Sequence, residues 1–137
     1  MSVFVLHPRL ASDTAFVCNW TLSQILLMND RRFPWLILVP RRDGLTELFD
    51  LDQEARSLLI SEIADASQRL KTWAKADKIN VAALGNQVPQ LHVHVIARKE
   101  GDPAWPNPPW SAGKAIPYDR AELTRVATEL KGILVQA

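Results

Sequence analysis

The alternation of apolar and polar residues over positions 90–98 predicts a β-strand with two unlike faces. Successive side chains of a strand point to opposite sides of the sheet, so every second residue shares a face. Leu91 begins the apolar face, while Gln90, His92 and His94 lie together on the other face. Buried polar groups need partners, and these side chains suit a partner that comes and goes, such as an anion, a metal ion or a substrate. The strand is therefore the candidate site.

Short apolar or weakly alternating runs predict the other strands, with turn residues between them. Pro8 is expected to end the first strand, residues 12–14 to form a turn, and residues 29–32 to connect a hairpin. The short link 85–89 before the histidine strand favours antiparallel neighbours. The predicted strands cover residues 3–6, 15–20, 22–28, 35–39, 79–84 and 91–97.

Two stretches have the three- and four-residue spacing of amphipathic helices. In the first, Asp50 is the predicted N-cap, Gln53 stands in capping-box spacing, and an apolar stripe covers residues 51–73. The second follows Asp119 and runs almost to the C-terminus. Between the histidine strand and this helix, residues 99–117 carry five prolines and two tryptophans, which predicts an irregular segment that packs onto the protein.

Composition narrows the classes of function. A chain of 137 residues with 47% hydrophobic and 23% charged residues fits one domain, 1–137. The net charge of +1 gives no electrostatic indication of a nucleic-acid partner. The single cysteine, Cys18, excludes an intramolecular disulfide and is typical of a reducing compartment. No signal peptide or membrane-spanning run is evident, so we expect a cytoplasmic protein without a membrane partner.

The two histidines of the strand allow three interpretations. In the first they are buried structural residues, hydrogen-bonded to their neighbours. In the second they bind zinc, but a catalytic zinc site needs three protein ligands, and the third would be His7 or a distant carboxylate. In the third interpretation a neutral imidazole attacks phosphorus, while loop 85–87 offers backbone N–H groups and amides to the phosphoryl oxygens.

Two segments resemble a known family. Residues 90–96, Gln-Leu-His-Val-His-Val-Ile, resemble the signature of the histidine triad (HIT) nucleotide hydrolases and transferases, His-φ-His-φ-His-φ-φ, with Gln90 in place of the first histidine. Residues 35–42, Trp-Leu-Ile-Leu-Val-Pro-Arg-Arg, resemble the family's stretch His-x-Leu-Val-Ile-Pro-Lys-Lys-His. Asn80 and Gly85 also match family positions, and the resemblance covers about residues 26–98.

The resemblance implies an α+β fold: an antiparallel sheet of about five strands, one long helix packed on it, a C-terminal helix, and pairing as a homodimer. It implies a nucleotide substrate, no cofactor and no metal. His92 matches the nucleophile, which attacks the α-phosphate of a phosphoramidate or dinucleoside polyphosphate and forms a nucleotidyl-histidine. His94 and Gln90 complete the catalytic group. The expected phosphate-binding residues are Gly85, Asn86 and Gln87, and the expected nucleoside-binding residues are Asn29, Asp30 and Asn80.

Three departures from the family pattern keep other hypotheses open. Gln90 cannot carry a positive charge, although its amide N–H can still bind a phosphate oxygen. Asp43 falls where the family often has another histidine. Gln87 replaces a hydroxyl residue that assists the leaving group. A nucleotide-binding module with little turnover is therefore the alternative from another class, and a metal-dependent hydrolase using His92 and His94 is the third hypothesis.

Overall fold

The computed structural model describes residues 3–135, in which an antiparallel sheet of five strands packs against helices. The strand order is β1-β2-β3-β5-β4, so the last strand in sequence lies between two earlier strands. The α+β fold expected from the sequence is confirmed. The strands are β1 Thr14–Asn19, β2 Ser23–Met28, β3 Trp35–Pro40, β4 Lys78–Ala82 and β5 Val93–Arg98; the helices are α1 Pro8–Asp13, α2 Gln53–Ala74 and α3 Arg120–Leu134.

The two faces of the sheet are covered differently. On one face α2 and α3 bury the larger apolar cluster, which includes Leu36 and Val95 of the sheet and Leu130 of α3. The opposite face has a smaller cluster that includes Trp35 and Ile37. All of β3 is buried, as its continuous apolar run predicts. Within residues 3–135, none of the helices has the length and apolar character needed to cross a lipid bilayer.

The predicted N-cap of the long helix was wrong by two residues. The helix begins at Gln53, and the Asp52 carboxylate accepts a hydrogen bond from the Ala55 N–H at 2.8 Å. Asp50 instead ends a short 3-10 turn, and its Oδ2 accepts from the backbone N–H of Glu47 at 2.9 Å. Asp50 lies two residues before the cap position, so its carboxylate serves the preceding turn instead of the first N–H groups of the helix. The cap of α3 at Asp119 is as predicted.

The predictions for the N-terminal segment were also wrong. Residues 3–7 form no strand, and the expected turn at 12–14 is the junction of α1 with β1. Pro8 begins α1, since a proline fits the first helical position, where its missing N–H costs nothing. The preceding segment is bound by one side chain: the Gln90 Oε1 accepts from the His7 N–H at 2.8 Å, and its Nε2 donates to the Val5 oxygen at 2.9 Å.

A buried ion pair closes the carboxyl end of β5. Arg98 is 1% exposed and donates from Nε and Nη2 to the two carboxylate oxygens of Asp102, at 2.7 and 2.9 Å. Its Nη1 donates to the Asn80 Oδ1 at 2.8 Å. The guanidinium also lies over the rings of Phe33 and Trp105, 5.4 and 5.8 Å from their centroids. We call these five residues the arginine cluster. The paired Arg98 lowers the pKa of Asp102 to about 2.

Candidate active site

Two adjoining clefts, one of which is lined by both histidines, lie near the start of β5. The histidine cleft has a volume of about 310 Å³ and is lined by His92 and His94 together with Gln87. The side cleft has a volume of about 360 Å³ and includes Asp30 in its wall. Trp110 lines both clefts and so stands where they meet. The combined space is large enough for a small molecule with two chemically distinct ends.

The ring of His92 is oriented by the backbone two residues earlier. Its Nδ1 lies 2.7 Å from the backbone oxygen of Gln90. A carbonyl oxygen can only accept, so Nδ1 donates and Nε2 is the unprotonated nitrogen of the neutral ring. The side chain is 7% exposed, yet it lines the histidine cleft. A basic nitrogen is therefore presented by a ring that cannot easily turn.

His94 has the opposite tautomer. The indole Nε1 of Trp35 donates to His94 Nδ1 at 3.0 Å, so the proton of the neutral His94 ring is on Nε2. Burial, and then the proximity of His92, lower the pKa of His94 from 6.5 to about 3, so the ring is uncharged at neutral pH. The two imidazole centroids are 4.9 Å apart. Together, the two rings, which are inclined at 72° to each other, offer one basic nitrogen and one N–H donor.

The loop before the histidines forms another wall of the histidine cleft. Gly85 has a φ of +78°, a left-handed conformation that glycine adopts without strain. Asn86 and Gln87 follow it, are exposed, and line the cleft with the histidines. Amide and backbone N–H groups thus lie along the same cleft as the basic nitrogen of His92.

Comparison with known families agrees with this geometry. The model of the HIT domain family matches residues 9–101. The chain belongs to the HIT family. Proteins of this family are generally nucleotide-binding hydrolases and transferases, and the resemblance seen in the sequence is confirmed.

Solved structures of HIT proteins are similar over nearly the whole chain. A histidine triad protein from Bradyrhizobium japonicum is 42% identical, with a TM-score of 0.92, and the match covers 98% of this chain and 100% of that one. A HIT protein from Sinorhizobium meliloti is 46% identical, with a TM-score of 0.91 and coverage of 96% and 97%. One from Marinobacter aquaeolei is 44% identical, with a TM-score of 0.93 and coverage of 97% of each chain. A comparison with curated proteins finds no match.

Gln90 occupies the first position of the HIT signature, but its side chain binds the N-terminal segment. The carboxamide contacts the backbone of Val5 and His7, while the backbone oxygen orients His92. The residue thus acts on the site through its main chain. A pattern of alternating faces could not reveal this, because the partners of the carboxamide lie 83 and 85 residues away.

The residues expected to bind the nucleoside are separated by the structure. Asn29 and Asp30 line the side cleft, but their oxygens already accept hydrogen bonds: Asn29 from the Tyr118 N–H, Asp30 from both the side chain and the backbone of Arg32. Asn80 is not among the residues that line either cleft, and its Oδ1 belongs to the arginine cluster.

Two site residues were missed at the level of sequence. The apolar run predicts Trp35 only as part of a buried strand, and the resemblance over residues 35–42 places it where the family pattern has a histidine without giving it a role. Trp110 lies in the irregular segment, for which two tryptophans were the only indication of packing. Its ring is edge-on to Trp35 and to His94, with centroids 5.4 and 5.0 Å apart. Aromatic rings thus enclose the His94 imidazole on two sides.

The side chains required for the metal hypothesis are not brought together. Residues 3–135 contain no group of three or more His, Cys, Asp or Glu side chains placed to hold a metal ion. His7, the suggested third ligand, accepts the Arg9 N–H at its Nδ1 and so caps α1. His94 Nδ1 is already hydrogen-bonded to Trp35. The donor set does not fit a catalytic zinc site.

Proposed function

We propose that this HIT protein is a nucleotide hydrolase or nucleotidyl transferase that acts through a covalent nucleotidyl-histidine on His92. The observation that carries the proposal is the opposite tautomers of His92 and His94 on one cleft. His92 Nε2 supplies the electron pair of the nucleophile, and His94 Nε2–H supplies a donor for a phosphoryl oxygen.

The reaction proceeds in two displacements at the α-phosphorus. In the first, a bond forms from His92 Nε2 to phosphorus, and the bond to the leaving group breaks; that group takes the electron pair and is protonated by solvent water. Nδ1–H of His92 remains hydrogen-bonded to the Gln90 oxygen, which stabilises the positive charge on the modified ring. In the second, water or another acceptor attacks phosphorus and gives up its proton to solvent, while the nitrogen–phosphorus bond breaks and its electron pair returns to His92 Nε2; with water as the acceptor the nucleoside monophosphate is released.

The clefts suggest how the substrate lies. The phosphate is placed in the histidine cleft, next to Gly85, Asn86 and Gln87. The nucleoside is placed in the side cleft, where Trp110 offers a large apolar surface. Asn29 and Asp30 then shape the wall of this cleft, since their oxygens are bound to protein donors. Neither the base nor the leaving group is specified by these contacts.

We also propose that the chain pairs with a second copy. β4 is an edge strand, and exposed apolar side chains lie on it and near it: Val81 is 50%, Leu84 52% and Phe49 77% exposed. Unpaired edges with apolar neighbours are typical of interfaces. Sedimentation equilibrium of the wild type and of Val81→Lys tests this, and a wild type that sediments as a monomer contradicts it.

Trapping tests the covalent step. The full chain is incubated with nucleoside phosphoramidates and with dinucleoside polyphosphates, quenched under mildly basic conditions, and mapped by mass spectrometry. We expect turnover and an acid-labile nucleotidyl adduct on His92, with none in His92→Asn.

An adduct on His7 or His94 contradicts the assignment of the nucleophile. If AMP or GMP binds but neither turnover nor an adduct is found, the protein is a nucleotide-binding module. Gln90 and Asp43, which stand at histidine positions of the family pattern, and Gln87, which stands at a hydroxyl position, are the observations that favour this alternative.

A further inference from the structure

The contact between β3 and β5 places an indole beside the second histidine. Ile37 pairs directly with His94 and Trp35 with Ile96, so Trp35 is the diagonal neighbour of His94 on the same face. Trp35 is 4% exposed, and its Nε1–H donates to His94 Nδ1 at 3.0 Å. The hydrogen bond is therefore buried, where water does not compete for either partner.

We propose that Trp35 is a positioning residue that fixes His94 as an uncharged hydrogen-bond donor to the transferred phosphoryl group. This inference rests on the proposed function for the role of that donor, but not for the tautomer itself. An indole nitrogen can donate and cannot accept. Trp35 therefore allows His94 only the tautomer with the proton on Nε2.

Trp35 also opposes protonation of His94. An imidazolium carries N–H on both nitrogens, so a charged His94 would place its Nδ1–H against the indole N–H. A histidine, which the family pattern has at this position, could accept as well as donate. The tryptophan of this chain removes that choice, and His94 cannot then take up a proton during the reaction.

The surroundings of His94 support the same role. Trp35 and Trp110 lie edge-on to its ring, with centroids 5.6 and 5.0 Å away. The titratable and charged groups on the same cleft are His92, which directly precedes β5, and Arg9 and Asp13 of α1, which pair with each other at 3.6 Å. Of the described residues that line the cleft, Asp13 alone carries a carboxylate, and it is paired with Arg9. A cationic His94 would therefore have no unpaired anion beside it.

Nitrogen NMR of the full chain labelled with ¹⁵N-histidine tests the tautomer directly. We expect His94 to show protonated Nε2 and unprotonated Nδ1 at neutral pH, and His92 to show the reverse.

Trp35→Phe keeps a ring but removes the donor, so His94 should then give a mixture of tautomers. Trp110→Phe is the matched control, because it removes an indole N–H beside the same imidazole and should leave the His94 pattern unchanged. Trp35→His restores a donor and should partly restore the pattern.

The catalytic part is measured separately. In Trp35→Phe we expect kcat to fall about tenfold, as for the loss of one positioning hydrogen bond, with little change in KM. A wild type in which His94 is protonated at Nδ1 overturns the inference even if no variant folds. An unaltered pattern in a folded Trp35→Phe also overturns it, and so does a changed pattern with kcat unchanged. If instead the wild type shows the expected tautomers but no turnover, it is the proposed function that fails.

Discussion

The two ends of β5 hold buried polar groups that differ in how completely they are bonded. At the carboxyl end, Arg98 donates from three nitrogens, to Asp102 and Asn80. At the amino end, His92 and His94 each use Nδ1, to Gln90 and Trp35, while their Nε2 atoms have no partner within residues 3–135.

Burial alone therefore does not distinguish a structural polar cluster from a functional one. The arginine and the histidines are all at most 7% exposed, but only the histidines keep an unbonded nitrogen beside a cleft. A fully bonded group contributes to stability, whereas an unbonded one is available to a ligand. Substitutions at the two ends should accordingly affect different properties.

The largest effect is expected from His92→Ala. Loss of the nucleophile should lower kcat at least about a thousandfold, because the covalent route is removed. The melting temperature should change little, since the ring lines a cleft and does not fill the core. Steady-state kinetics with a nucleoside phosphoramidate and a thermal melt measure both. Retained activity, or unfolding of the variant at room temperature, would refute this contrast.

Asp102→Asn should have the reverse effect. It leaves Arg98 buried without its carboxylate, so the free energy of unfolding should fall by about 3 kcal/mol. The kcat of the folded fraction should stay near that of the wild type, because the arginine cluster does not line the histidine cleft. Urea unfolding and kinetics give the two values. An unchanged free energy of unfolding would show that the ion pair contributes nothing.

The lowered pKa of Asp102 predicts how the free energy of unfolding depends on pH. The pKa of Asp102 is about 2 in the folded protein, below the ordinary 3.8, so its ionised form stabilises the fold. This contribution is complete above about pH 4 and is lost as the pH falls towards 2; it amounts to about 2.5 kcal/mol.

Urea unfolding of wild type and Asp102→Asn at several acidic pH values tests this dependence. Because His94 also titrates in acid, the quantity to follow is the difference between the two proteins. We expect that difference to shrink from pH 4 to pH 2, and a constant difference would be inconsistent with the assignment.

The two tryptophans of the irregular segment offer a smaller, matched comparison. Trp110 lines both clefts, so Trp110→Ala should raise KM for the nucleotide about tenfold with a modest change in stability. Trp105 packs on Arg98, so Trp105→Ala should lower stability and leave KM unchanged. Steady-state kinetics give the KM of both variants, and thermal melts give their stability. The same KM for both would mean that Trp110 is not part of the binding site.

Local pattern was enough to predict most of the sheet, both long helices and the histidine face. These elements depend on spacing within a few residues, as in β3 and along α2. The failures involve partners that are remote in sequence. Residues 3–7 resemble a strand, but their backbone is bound by Gln90. Pro8 was expected to end a strand, and the same lack of an N–H equally suits the start of a helix.

The candidate site likewise has a part that local pattern predicts and a part that depends on residues remote in sequence. His92 and His94 were found from alternation alone, whereas the tautomer of each ring is set by atoms that no pattern specifies. Trp35 reaches His94 across 59 positions. Asn80 matched a family position, and only the fold reveals that its oxygen is bonded to Arg98.

The place of β5 between β3 and β4 has a consequence for biosynthesis. Translation delivers β3 and β4 before β5, the strand that lies between them in the sheet. In a nascent chain, the edges of β3 and β4 that pair with β5 therefore stay unpaired until residue 98 has left the ribosomal exit tunnel. The imidazoles arrive with it, since His92 directly precedes this strand and His94 lies on it. A product that stops before residue 92 therefore lacks both the strand that joins the two halves of the sheet and the two imidazoles.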